Sequence, residues 1–113
     1  MITHTSTAQE KLFAQASCTI VYSLKRSAYN YFNDEISQLN VQINRQNIQF
    51  IDLNYWNKTS PHVDVSGRLR NQLRQKYDLA SSINQAVVVN KQGQILHRYS
   101  GSVTLVNALF DCH

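Results

Sequence analysis

Apolar positions along this chain follow two alternating periods, and each switch of period marks a new element. Residues 7–16, "TAQEKLFAQA", are rich in helix formers and predict a short leading helix capped by Thr5 or Ser6. The run 18–23, "CTIVYS", is β-branched and aromatic, and predicts a buried strand. From Ala28 the spacing becomes three and four: Tyr29, Phe32, Ile36, Leu39 and Ile43 form one apolar stripe, so a helix of roughly four to five turns is predicted. Asp34 and Glu35 fall early in it and Arg45 at its end, as the helix dipole favours. Residues 47–53, "NIQFIDL", alternate and then end apolar, as a second strand would.

Residues 54–65 have no regular period and hold the only Trp and the only Pro. A connection of that length is above the usual range and is a candidate binding surface. In 66–78, Leu69, Leu73 and Tyr77 give a helical stripe with Ser66 or Asp64 as cap. Two β-rich runs flank Asn90-Lys-Gln-Gly93 within 84–101, the pattern of an antiparallel hairpin. The closing segment 102–113 predicts a helix capped by Ser102, with Val103, Val106, Leu109 and Phe110 on one face.

The element order is therefore a leading helix, then βαβ, then αββα. A βαβ unit makes parallel strands and a tight hairpin makes antiparallel ones. The expected fold class is α/β: a four-stranded mixed sheet with helices on both faces, a three-layer sandwich. The chain is expected to form a single domain over 1–113, with 1–6 a loose N-terminal tail. Its 113 residues and 13.0 kDa suffice for one core without a metal or disulfide staple.

Composition narrows function only by exclusion. Charged residues make up 16% and the net charge is +4, modest beside dedicated nucleic-acid binders. Much of the polar surface falls to Asn and Gln, which number 22. The N-terminal stretch lacks the basic and apolar regions of a signal peptide, and no apolar run is long enough to span a membrane. A cytoplasmic protein is expected, without membrane contact. Cys18 and Cys112 lie far apart and make no CxxC pair. They read as two unrelated thiols, and a disulfide between them is not expected in a reducing compartment. His4, His62, His97 and His113 show no metal-ligand spacing, so neither metal nor cofactor is expected.

The second half, "LRQKYDLASSINQAVVVNKQGQILHRYSGSVTLVNALF", resembles the C-terminal half of the thioredoxin fold. Within that superfamily the "LRQKYDL" helix, the strand pair around "NKQGQ" and the "VTLVNALFD" ending most resemble the DUDES-type family of unknown function, over residues 18–111. Bacilliredoxin-like monothiol proteins are a second resemblance. The likeness implies a thioredoxin-like sandwich. It also implies a reactive cysteine in the turn after the first strand, where a helix N-terminus lowers a thiol's pKa. This chain has Ser23-Leu-Lys-Arg-Ser27 there, with Ser27 or Ser23 nearest the position. Serine cannot exchange disulfides. The fold's cis-proline before the third strand is replaced by Ile83-Asn84, where a cis bond would cost about 3 kcal/mol.

These departures predict a redox-inactive thioredoxin-like protein that binds a protein partner or a second copy of itself. The expected surface comprises Lys25 and Arg26 in the turn, Tyr55, Trp56 and His62 in the long connection, and Arg70 and Arg74 on a basic helix edge with Arg68 and Lys76. His62 could pair with Asp64 as an acid–base element, and His97 is expected to face outward. The alternative is a noncanonical thiol oxidoreductase using Cys18 or Cys112, with Ser27 the remaining weak catalytic candidate. A third reading is weak nucleic-acid binding through the helix cations, which the modest charge disfavours.

Overall fold

The structure is a computed structural model and describes residues 7–113. Its order is α1 (Ala8–Ala14), β1 (Cys18–Ser23), α2 (Arg26–Gln38), α3 (Asn40–Arg45), β2 (Ile48–Asp52), α4 (Gly67–Lys76), β3 (Gln85–Val89), β4 (Ile95–Ser100) and α5 (Leu105–Phe110). The strands lie side by side as β2-β1-β3-β4. β1 runs parallel to β2 and antiparallel to β3, and β3 is antiparallel to β4. This is the mixed four-stranded sheet expected from the sequence.

Alternation along the strands divides the core into two layers. Ile20, Tyr22, Ile48, Phe50, Ala86 and Val88 face α2, α3 and α5, where Phe32, Ile36, Ile43, Leu105 and Ala108 are buried against them. Val21, Ile51, Val87 and Val89 face α1 and α4, against Phe13, Leu73, Tyr77 and Leu79. The two sheet edges differ. Beside β2, the Phe50 N–H donates to the Pro61 carbonyl and the Val63 N–H to the Phe50 carbonyl, so residues 61–63 cover that edge. Among the described residues no backbone pairs with the outer side of β4.

Three local expectations are corrected and a fourth, the choice of cap for α4, is narrowed. The cap of α1 is Thr7, whose Oγ1 accepts from the Glu10 N–H; Thr5 and Ser6 lie outside the described residues. The long helix is two, separated at Leu39, whose ψ of 16° leaves the helical range while Ile36 and Ile43 stay buried. Ser66, rather than Asp64, caps α4, accepting from the Leu69 N–H. The closing helix starts at Leu105 after Thr104, not after Ser102. Its inward positions are then Leu105, Ala108, Leu109 and Cys112, while Val106 and Phe110 are exposed. Gly101, at φ +87°, turns the chain after β4, and Ser102–Thr104 continue it non-helically, so the helical frame starts two residues later than expected.

Candidate functional site

The turn after β1 sits at the C-terminal ends of the parallel strands, where open α/β sheets present their ligands. Leu24 is buried and anchors it, while Lys25, Arg26 and Ser27 are exposed. The Lys25 N–H donates to Asn84 Oδ1 at 2.7 Å, tying the turn to the start of β3. Ser23 is fully buried and its hydroxyl donates to the Ala80 carbonyl at 3.0 Å. Arg74 donates to Ser23 Oγ, to the Leu53 and Leu79 carbonyls and to Asn54 Oδ1. Ser23 is thus part of a closed network, and Ser27 is an exposed residue in the first turn of α2.

Next to the turn, the 54–62 connection is held by a carboxylate. Asp52 is fully buried at the end of β2, and its oxygens accept from the N–H groups of Asn54 (3.1 Å), Tyr55 (3.0 Å) and Asn57 (3.0 Å). Three charge-assisted bonds onto consecutive turns fix the loop without regular structure. Tyr55 packs against Tyr29 in a tilted pair with ring centroids 4.5 Å apart, and the Arg26 guanidinium lies 4.2 Å above the Tyr55 ring. Trp56, half exposed and at φ +56°, covers the Arg70 guanidinium at 4.3 Å. One cis peptide bond occurs among the described residues, Ser60–Pro61, in this connection and not before β3.

His62 is buried at the end of the connection, and its Nε2 lies 2.6 Å from the Tyr22 hydroxyl. Its Nδ1 lies 2.9 Å from the Thr59 carbonyl, which can only accept, so Nδ1 carries the proton. Burial lowers the His62 pKa, against the opposing pull of the Thr59 carbonyl and Asp52, so the ring is neutral and Nε2 accepts from Tyr22. Burial, then Asp52, raises the Tyr22 pKa, keeping that phenol protonated. Asn33 Nδ2 donates to the Tyr22 oxygen and to the Tyr29 carbonyl, and its Oδ1 accepts from Asn57 Nδ2 at 3.0 Å. These groups floor a cleft of about 360 Å³ lined by Asn33, Ile36, Ser37, Asn57, Ser60 and His62 among others. His62 therefore partners Tyr22, and the expected His62–Asp64 pairing is replaced; Asp64 faces Lys58 and Arg70 instead.

The cysteines lie elsewhere. Cys18 opens β1 and is bonded to Cys112, with the Cα atoms 5.7 Å apart. The expectation of two unrelated thiols is thus corrected: α5 brings Cys112 back over the start of β1, and Cys18 is buried as a half-cystine. β1 separates this pair from the 23–28 turn by about 17 Å, five steps of a strand.

The expected basic edge is also corrected. Arg70 is 3% exposed, and it donates to the Asp52 carbonyl at 3.1 Å and to the Val65 carbonyl at 2.5 Å. Arg74 is half-buried, spent on the strand ends as described. Only Arg68 and Lys76 of the four helix cations are exposed. His97 is exposed as expected, 3.8 Å from Asp111. The structure brings Arg26, Tyr55, Trp56 and His62 into one region beside the turn. Sequence reading missed Asp52, Asn33 and Asn57. For Asp52 and Asn57 the signal was available in "DLNYWN", an acid and two asparagines where a strand ends, the composition of Asx turns; Asn33, within α2, carried none.

No protein-family model matches the chain, and no curated protein matches it significantly. Among solved structures, a Xanthomonas campestris peroxiredoxin Q is similar at TM-score 0.59 and 10% identity, over 89% of this chain and 79% of that one. A Xanthomonas campestris bacterioferritin comigratory protein, described for its alkyl peroxide reduction activity, is similar at TM-score 0.52 and 10% identity over the same shares. The thioredoxin-like fold is supported by these likenesses, and the DUDES-type family is not.

Proposed function

We propose that this chain is a thioredoxin-fold protein that catalyses no thiol chemistry and binds a protein partner at the strand C-termini, beside the 23–28 turn. One observation carries the reading: in the turn, the buried hydroxyl of Ser23 is bonded to Arg74 and the Ala80 carbonyl, and both cysteines lie at the other end of β1. The neighbouring surface offers Arg26 stacked on Tyr55 and the half-exposed Trp56, residue types that dominate binding hot spots. Asp52 holds these side chains on a fixed loop, which lowers the ordering cost of binding.

The Cys18–Cys112 bond favours a second reading, a thiol oxidoreductase that cycles this pair. Peroxide reduction, the activity described for one structural neighbour, is its natural assay. Insulin reduction and alkyl peroxide consumption, each with dithiothreitol as reductant, decide between the two. The expected rates equal those of buffer with dithiothreitol alone. Turnover that disappears in Cys18→Ser would overturn the first reading and establish the second.

A further inference from the structure

We propose that the Cys18–Cys112 bond is a thiol-exchange site whose opening releases α5 from the rest of the fold. The two sulfurs stand in unequal surroundings: Cys18 is 1% exposed beneath the helices, whereas Cys112, just after α5, is only partly buried. Attack therefore falls on Cys112 Sγ. A thiolate of an external dithiol bonds to that sulfur, the S–S bond breaks, and Cys18 leaves as a thiolate that takes up a proton. The dithiol's second thiolate then attacks its own sulfur in the mixed disulfide. Cys112 leaves as a thiolate and is protonated, and the dithiol departs as a cyclic disulfide, having given two electrons to the pair.

What the bond holds is weakly held otherwise. α5 has six residues, too few to be stable as an isolated helix, and its cap residue Thr104 makes no side-chain bond. Only Leu105 and Ala108 are fully buried, with Leu109 and Val103 partly so, while Val106 and Phe110 point to solvent. Beyond these, Asp111 accepts from the Tyr99 hydroxyl and faces His97, both on the exposed edge strand. Once the bond opens, the apolar groove between α3 and α5, lined by Leu39, Ile43, Val106, Leu109 and Phe110, loses one wall. Ile43 and Cys18 then meet solvent. The redox state of one pair thus sets whether this apolar surface is closed.

The test reduces the native protein with dithiothreitol at about pH 8, where its thiolate is populated, and follows thiol titre and amide hydrogen exchange. Both cysteines are expected to titrate without denaturant. Exchange over 105–113 should accelerate about tenfold or more, to near the unprotected rate, while 85–89 in β3 stays measurably protected, lowered only by the cross-link's share of global stability. A Cys18→Ala/Cys112→Ala variant should show the fast pattern without reductant. The proposal is overturned if thiols appear only in guanidinium, if they appear with 105–113 still protected, or if β3 becomes as unprotected as α5. These readouts do not involve turnover, so they stand or fall separately from the function proposed above.

Discussion

Protonation of His62 would put an Nε2–H against a Tyr22 hydroxyl that already donates to that nitrogen. The hydroxyl would turn to Asn33 Oδ1, 3.3 Å away, and the cost is that of a charged ring in a buried site. Because burial lowers the folded-state pKa, the unfolded chain binds this proton first as pH falls. Stability from the neutral ring is therefore complete above the unfolded value, about 6.5, and declines as pH drops below it. The slope cannot exceed about 1.4 kcal/mol per pH unit for one proton. Urea unfolding at successive pH values between neutral and mildly acidic should show this loss in the native protein. In His62→Gln the extra slope should vanish; an identical slope would mean that another group is responsible. At this scale the sequence is least readable. It marked Arg70 and Arg74 as surface cations, yet a guanidinium has five donors, and here they answer carbonyls left over where strands end. Spacing alone does not reveal which carbonyls need a donor.

Elements were far more legible, because strand and helix periods reflect which face is buried. The hairpin shows why: Gly93, in the turn that joins β3 to β4, adopts φ +77°, as its neighbours "NKQG" predict. The structure adds a second reason for the glycine. A Cβ there would lie 2.9 Å from Phe13 Cδ2 and 3.3 Å from the Tyr77 hydroxyl, which itself donates to the Gly93 carbonyl at 2.7 Å. Gly101, at φ +87°, has nothing within 4 Å of such a Cβ. Gly101→Ala should cost about 1–2 kcal/mol, the left-handed backbone penalty alone. Gly93→Ala should cost about 1–3 kcal/mol more, because Phe13 must move. Equal losses in thermal or urea unfolding would show that the contact with Phe13 is not tight. What the periods could not give was the frame of α5: two apolar faces were available, and the tie of Cys112 to β1 selects the one carrying Leu105 and Ala108.

At the scale of the molecule, the cystine joins the start of β1 to the segment after α5 across a separation of 94 residues. Closing so long a loop removes entropy mainly from the unfolded chain, by about 4–5 kcal/mol on the chain-entropy model. Cys18→Ala/Cys112→Ala should therefore lower the urea midpoint with an altered m-value, since the linear unfolded chain exposes more surface. A midpoint unchanged from the oxidised protein would refute that estimate. The overall layering was legible because each face of the sheet needs its own apolar helix stripe. The bond was not, since two cysteines at opposite ends of a chain give no hint that their elements meet.

The unequal sheet edges fix how such molecules could add to one another. Residues 61–63 pair with Phe50 in the middle of the β2 edge, whereas among the described residues the outer ladder of β4 is free along its length. In the language of polymer chemistry β4 is a single functional end: joining two molecules through it consumes the ladder of both, so strand addition by this edge terminates at a pair.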